Sequence, residues 1–596
     1  MNRTPVALAV SIGGLCCAVA GCSTRTDVSV TGNTPAQYSH LWITAQAVWF
    51  NSSALAGPDD GGWVKFPLST PATVDLVTES GGNLGSLVTG LRLAPGTYAQ
   101  LRLIPVDAAA ALTTSAKAAG ALYNTEADYV DSAGTTHHLP LELLNPDKGI
   151  GIQGSLRVPV GNVGAALAAV STTTTGATTA TNSNTTTPTT PATTPTTSPT
   201  TTATTTSFAI TLDGARDLTP FTYAAATSPN GILLSSHASA FDLSEVGGIQ
   251  GQLTLTNLSG ISGAAGLPAI QVSAESLSAD GTRHEVVNRT AVHADGSFLL
   301  YPLATSSSSP ADYDLVIHGA GIATIIIKAV QVTLGASTST ATTTSTTAAN
   351  STLSTVSVGT LIPRAATSYT ANLGTATGAA LPAGAQVAFY QTLPTAGEVP
   401  YVIEASPIDP FNQVLANAQA LSTGTVDSGT YSTSGAAVTL VSAAPAEGAG
   451  RYHVAASAPS FTDGTLTTTV SAPPAGTTTP VMVTVPALAL APGAASGTIS
   501  ASVTEATAGK YDHGELLVTH DGMLVATTPL DAALAQGAGA TVIAGGLPTG
   551  TSAARYYVAV RAWNSRDATG TLQRQSYPTA IDLRGSATGA VQLTIN

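Results

Sequence analysis

The sequence predicts an all-β protein: a multi-domain string of β-sandwich modules interrupted by disordered Thr-rich insertions. Three observations predict this class. Short segments alternate apolar and polar residues or are rich in β-branched ones, and Gly, Pro, Asn and Asp punctuate them. A turn followed by an aromatic residue that opens a strand recurs along the chain. Two tracts, 171–207 and 336–352, consist almost wholly of Thr, Ser, Ala, Pro and Asn. Such tracts bury too little apolar surface to offset chain entropy, and Ser/Thr-rich stretches with Pro also suit O-glycosylated stalks or plain spacers. With 596 residues the chain has room for several cores.

The N-terminus carries Arg3, an apolar run from Val6 to Val19, and the frame Val19-Ala20-Gly21-Cys22. The run has the length of a signal-peptide core and is too short for a comfortable membrane span. Small residues directly before a cysteine resemble the lipobox of bacterial lipoproteins. The resemblance implies cleavage after residue 21 and lipidation of Cys22, with Ser23 in the following position favouring transfer to the outer membrane. Each buried methylene contributes roughly 0.8 kcal/mol, so two or three acyl chains hold a protein on a bilayer where one does not. Cys16 and Cys17 would leave with the signal peptide, and the mature body would then hold no disulfide and no Cys-based metal site. Cleavage leaves 19 basic and 34 acidic residues, a net charge of −15. This weakly charged, acidic chain lacks the clustered Lys and Arg that nucleic acid or anionic lipid requires.

Residues 22–36 are expected as a linker, 37–247 as a first β domain carrying the insertion 171–207, 248–335 as a sandwich, 336–352 as a Thr-rich linker, and 353–485 and 486–596 as two further sandwich-like domains. Strands are expected at 41–50, 98–105, 155–160, 208–212, 250–255, 269–274, 297–301, 313–318, 324–334 and 556–562. The Ala-rich segment 107–122 and the segment 530–538 are expected to be helical. The tract around 172–206 is expected to loop out without breaking the first sheet.

The turn-then-aromatic pattern reads Ala94-Pro95-Gly96-Thr97-Tyr98, Ser309-Pro310-Ala311-Asp312-Tyr313 and Gly448-Ala449-Gly450-Arg451-Tyr452, with a looser form ending at Arg555-Tyr556. In sandwiches such a tyrosine buries its ring and bonds nearby backbone through its hydroxyl. Four occurrences predict four sandwich-like units. The runs Arg451-Tyr452-His453-Val454-Ala455 and Arg555-Tyr556-Tyr557-Val558-Ala559 further relate the last two.

Several stretches of the first unit, in order, resemble a bacterial envelope family known only as a domain of unknown function, DUF4382. They are 41–49, Gly62-Trp63-Val64, Val74-Asp75-Leu76, 93–103, 149–154 and 208–215. The family has no established activity, so the resemblance implies no catalytic residue. Residues 248–335 resemble a carboxypeptidase-regulatory-like, prealbumin-type sandwich through Gly248-Ile249-Gln250-Gly251, Leu267-Pro268, Asp295-Gly296-Ser297-Phe298 and Tyr313. That resemblance implies a non-catalytic accessory, with Phe298 plugging the core after a tight Asp-Gly turn.

No nucleophile elbow, no His-Glu-x-x-His and no Walker motif occurs; Gly509-Lys510-Tyr511 fails at its last residue. Weaker constellations remain. His137 and His138 lie near Asp128 and Asp131, but adjacent strand residues face opposite sides, which argues against a shared metal. Asp59 and Asp60 could offer oxygens to Ca²⁺, yet lack the alternating acids of a calcium loop, so a polar turn is the better reading. Trp42, Trp49 and Trp63 could form a glycan platform, but Trp42 and Trp49 fall on opposite sides of a regular strand, and core packing is favoured. No catalytic, metal or cofactor site is therefore assigned, and Cys22 is the one modification site expected. The leading expectation is a lipid-anchored envelope protein with a non-catalytic binding or structural role. Its partners would be the membrane and an envelope protein or glycan. The alternatives are a glycan-binding accessory or adhesin, and an enzyme whose site is assembled from distant acids such as Asp75, Asp213 and Asp217.

Overall fold

In the computed structural model the first unit is one twelve-stranded sheet wrapped around its own core. The described residues are 23–131, 134–159, 205–221, 231–235, 238–256, 258, 269–305, 310–334, 354–374, 381–382, 384–409, 413–415, 420–458, 461–462, 464, 466, 468–477, 479–492, 496–531, 534, 540–549, 554–564 and 573–596. Cys22 and most of both Thr-rich tracts lie outside them. Among the described residues no helix is long and apolar enough to cross a membrane.

The strand Thr24–Asn33 sits inside this sheet, parallel to Thr205–Asp213 and antiparallel to Gly85–Leu93. Residues 24–33 were expected as linker. Their alternation of Thr24, Thr26, Val28 and Val30, all buried, pays the ordering cost that a polar linker cannot. Thr205–Asp213 and Ile150–Val158, the strands on either side of the first tract, are in the same sheet with Ser239–Asp242 between them. The Ala-rich segment is helical only over Thr114–Ala119. Thr113 caps it by accepting from the Ala116 amide, and Gly120 ends it in the left-handed region at φ 91°. Upstream, Asn124 holds the chain in turns by donating to the carbonyls of Asp107, Ala110 and Ala111. Residues 530–538 fall largely outside the described set; one helical bond, Leu534 N–H to the Leu530 carbonyl at 2.9 Å, is seen.

Beyond residue 245 one arrangement occurs three times. In each copy four antiparallel strands follow the same spatial order, with the tyrosine strand third. The first copy runs His284–Ala291, Ile270–Leu277, Ala311–Gly319, Ile325–Val332. The second runs Tyr401–Asp409, Gln386–Gln391, Arg451–Ser457, Thr468–Ser471. The third runs Met523–Pro529, His513–His520, Arg555–Trp563, Gln573–Ser576. Opposite each, an opening strand pairs in parallel with the closing one: Val246–Leu253 with Thr355–Leu361, Ala371–Gly374 with Val481–Thr484, and Ser496–Glu505 with Thr588–Ile595. The kinship of the Arg-Tyr runs at 451 and 555 thus reflects equivalent strands. Thr355–Leu361 closes the first copy from beyond the second Thr-rich tract, past the expected 248–335 unit.

All four tyrosines behave as the pattern predicts. Each is buried, and its hydroxyl donates to a backbone carbonyl: Tyr98 to Ala94 at 3.1 Å, Tyr313 to Ala304 at 2.6 Å, Tyr452 to Ser422 at 2.9 Å and Tyr556 to Pro548 at 2.8 Å. Phe298 is buried after the Asp295-Gly296 turn, where Gly296 has φ 87°.

The modules interlock. Val426–Thr430 leaves the second copy to extend the sheet of the first, parallel to Ile325–Val332. A buried ionic cluster also lies between the two modules. Glu404 approaches Arg289 at 3.8 Å and His318 at 3.5 Å, and Glu275 accepts from the Val402 amide at 3.1 Å. Burial pushes the Glu275 carboxyl up to about 8 and the Glu404 carboxyl up to about 7, and pulls the His318 imidazole down to about 3. Each acid's folded pKa exceeds its ordinary value of 4.5, so its stabilising contribution is complete below that value and is lost as pH rises through 7 to 8. His318 works the other way: its contribution grows as pH rises from about 3 and is complete above its ordinary value of 6.5. Above that pH the cluster's slope comes from its acids, and Glu515, also raised by burial to about 7, adds to it with the same sign. The melting temperature is therefore expected to fall between about pH 6.5 and 8.5, and Glu404→Gln to flatten the fall. A melting curve series that rises over that window would contradict the buried placement of these acids.

The last copy also packs back onto the first unit. Its hairpin turns at Asp521-Gly522, both at positive φ, and the tip enters the first sheet. There Arg102 donates to Asp521 at 2.5 Å, Gly151 N–H donates to the Asp521 carbonyl at 3.2 Å, and Asn145 donates to Thr519 at 2.9 Å. Leu144, Phe221 and Leu233 of the first unit share an apolar cluster with Leu517 and Leu524 of the last.

Candidate functional site

The outer face of the first sheet gathers the chemistry. Tyr38–Asn51 carries an irregularity at Gln46, where its register with both neighbours shifts between Ala45 and Ala47. Leu41, Ile43 and Ala45 face the core before it, Val48 and Phe50 after it. The extra residue reverses the inward–outward parity, so Trp42 and Trp49 lie on the same, outer face rather than on opposite sides. Trp42 is buried there beside Ala116 and Ala121, with the His40 ring stacked on it at 4.5 Å. Trp49 and Trp63 are partly exposed, 5.9 Å apart, with the Lys65 ammonium 3.7 Å from the Trp49 ring centre.

Thr125–Val130 pairs with both Tyr38–Asn51 and Thr136–Glu142. Asp128 stands opposite His40 on one side and His138 on the other, and Glu126 stands opposite Trp42. One face therefore presents Glu126, Asp128, His138 and His40. His138 Nδ1 lies 2.7 Å from Asp128 Oδ1 and 3.3 Å from Glu126 Oε1. The hydrogen bond to Asp128 raises the His138 pKa above its ordinary value, and burial raises that of Glu126. His40 turns instead to Asp75, at 2.7 Å. His137 projects the other way and meets Asp131 at 2.9 Å. The structure thus separates the two histidines, as strand alternation requires, and unites His138 with Asp128. Glu126 was missed. The signal was present: acids at i and i+2 of a strand share a face, and a hairpin partner can set a histidine across from them.

The other sequence candidates serve packing. Asp59 accepts from Lys148 at 2.8 Å and from Tyr557 at 2.9 Å, and Asp60 binds Arg555 and the Gly57 amide. The polar turn is thus also a dock for the last copy. Asp75 accepts from the Leu41 and Val77 amides, Asp213 caps the turn Gly214–Asp217, and Asp217 ends that turn, buried. An open groove of about 610 Å³ lies in the second sandwich copy, lined by Thr367, Tyr369, Thr423, Pro473 and Pro474, with no charged side chain.

Residues 23–211 match the family model of a domain of unknown function, DUF4382. No curated protein matches the chain. Among solved structures, the Bacillus anthracis TIE protein is 10% identical, with 65% of this chain and 58% of that one covered and a TM-score of 0.13. The chain thus spans just over half of that protein's length. BcpA, the major pilin subunit of Bacillus cereus, is 12% identical, with 59% and 99% covered and a TM-score of 0.12. The Corynebacterium diphtheriae major pilin SpaA is 11% identical, with 59% and 99% covered and a TM-score of 0.10.

Proposed function

We propose that this chain is a lipid-anchored bacterial envelope protein whose β modules form a rigid, non-catalytic binding or structural platform. The interlocking of the modules carries the reading: an exchanged strand, the buried Glu404–Arg289–His318 cluster and a buried contact of Arg561 in the last copy with Glu142 of the first unit at 3.6 Å join units that linkers alone could have strung together. The candidate acids support it too, since Asp75 and Asp213 satisfy local amides rather than converge on a cavity. The expected anchor at Cys22 precedes the first strand by a single residue, which would set the end of the first sheet at the bilayer surface without a spacer. In this reading Ser23 directs the protein to the outer membrane.

Cys22→Ser is expected to move the protein from the membrane fraction to the soluble fraction and to abolish incorporation of labelled palmitate. A variant that still sediments with membranes and still takes up the label would refute the anchor. Protease treatment of intact cells bearing a tag at Asn596 then separates a surface platform from a periplasmic one. A glycan-binding role is the second reading, favoured by the partly exposed Trp49–Trp63 pair on the outer face. A glycan array probed with folded protein tests it.

A further inference from the structure

We propose that Glu126, Asp128 and His138 form a three-ligand site for a divalent transition-metal cation of the zinc type. One donor atom from each, His138 Nδ1 and a carboxylate oxygen of either acid, lies within 4.8 Å of the other two. A tetrahedral zinc ion with bonds of about 2.0–2.1 Å holds its donors roughly 3.3 Å apart. The Glu126 Oε1 to His138 Nδ1 separation is already 3.3 Å, and the Asp128 Oδ1 to His138 Nδ1 separation of 2.7 Å has only to open slightly. The opening falls on His138, whose side chain is 48% exposed and so free to shift outward, while both acids stay fixed in the sheet.

A second observation points to a ligand. Glu126 is fully buried, and its Oε1 accepts no hydrogen bond although it is aimed at His138. His138 Nδ1, already hydrogen-bonded to Asp128, reaches that oxygen only as an ion-pair contact at 3.3 Å, and a cation between the three groups would satisfy the buried carboxylate more fully. The other oxygen, Oε2, accepts from the amides of Leu122 and Tyr123, the latter at 2.7 Å. That pair of bonds orients the carboxylate from behind, the arrangement by which outer-shell partners fix metal ligands.

The donor set selects the ion. One imidazole and two carboxylates suit zinc, cobalt, nickel or manganese. Calcium takes six to eight oxygens and magnesium a largely hydrated octahedron, neither of which a histidine-bearing triad supplies. Two carboxylates also neutralise the dication. Three protein ligands leave a position open on the solvent side, beside the half-exposed His138, for water or for an oxygen donor from a partner. Bound metal would clip Thr125–Val130 to Thr136–Glu142, and Glu126 Oε2 ties the first of these strands to the turn after the helix. The site does not depend on lipid anchoring.

The test uses the purified full chain without a polyhistidine tag, titrated with ZnCl₂ against a chromophoric chelator and separately with CoCl₂. The expected result is one zinc per chain, visible d–d bands for cobalt, and about ten-fold or greater weakening by Glu126→Gln and by His138→Gln. His137→Gln, on the opposite face, should bind as the parent does. No stoichiometric uptake, or uptake that His138→Gln leaves unchanged, overturns the site and assigns any signal to an adventitious ion only. Near-UV circular dichroism checks the fold; if Glu126→Gln does not fold, His138→Gln on its half-exposed residue decides alone.

Discussion

Arg561→Met is expected to destabilise the protein by about 3–5 kcal/mol and to free the last module from the first. Arg561 is among the largest fully buried side chains. Its Nε donates to Glu515 at 2.7 Å within its own module, and its Nη1 lies 3.6 Å from Glu142 of the first unit. Its guanidinium also covers the Phe221 ring at 4.2 Å. Methionine refills much of the volume but strands the charge of Glu515, which burial already pushes up to about 7 despite the arginine. Glu142 keeps Arg574 at 3.2 Å, so the damage centres on Glu515. The double variant Arg561→Met/Glu515→Leu should recover most of the loss, because replacing both members of a buried pair by apolar groups is far cheaper than removing one. Melting curves measure the size of the effect. Hydrogen exchange over Thr136–Glu142 and His513–His520 tells undocking from local loosening. A single variant that melts with the parent would mean that the last module does not sit on the first as described.

Local sequence made the modules legible and left their assembly hidden. A tyrosine after a turn specifies its own environment: the strand that follows buries the ring, and a carbonyl takes the hydroxyl, as near as Ala94 for Tyr98 and Pro548 for Tyr556. Strand segments such as 41–50, 98–105 and 313–318 were legible for the same reason, since alternation is local. The irregularity at Gln46 has no comparable signature, and one inserted residue reverses every assignment downstream, so regular alternation sets Trp49 and Trp42 on opposite sides where the structure sets them on one. The triad of Glu126, Asp128 and His138 depends on the register in which Thr125–Val130 pairs with Thr136–Glu142, which a list of nearby acids and histidines does not encode. Asp59 and Asp60 find Tyr557 and Arg555 nearly five hundred positions away, and no property of the Asp-Asp-Gly-Gly turn announces that. The strand Thr24–Asn33 was hidden by composition: Thr, Ser and Asp read as linker until the sheet on either side of them is known.

Tyr452→Ala is expected to cost about 3–5 kcal/mol and Tyr452→Phe about 1 kcal/mol, the first by opening a cavity and the second by leaving one carbonyl without its donor. Tyr452 has no exposed surface, packs edge-to-face with Tyr369 at 6.3 Å, and donates to the Ser422 carbonyl at 2.9 Å. Tyr369 donates in turn to the Gly450 carbonyl at 3.1 Å, so each ring steadies the turn beside the other. Ser422 pairs with Ser368, and four residues later Val426–Thr430 crosses into the sheet of the preceding module. The hydroxyl of Tyr452 therefore pins the approach to the strand that enters the preceding module's sheet, where Val441–Ala443 pairs with its outer edge. If it does so, Tyr452→Phe should speed hydrogen exchange at residues 426–430 as well as lower the melting point. Tyr98→Phe, whose hydroxyl bonds a carbonyl four residues back in its own turn, should leave that strand untouched. Unchanged exchange at 426–430 in the Phe variant would confine the tyrosine's role to its own core. The joint between the modules would then rest on the parallel pairing with Ile325–Val332, on the Glu404–Arg289–His318 cluster and on side-chain contacts such as Lys328–Glu398 at 2.6 Å and Tyr401–Asp314 at 3.0 Å.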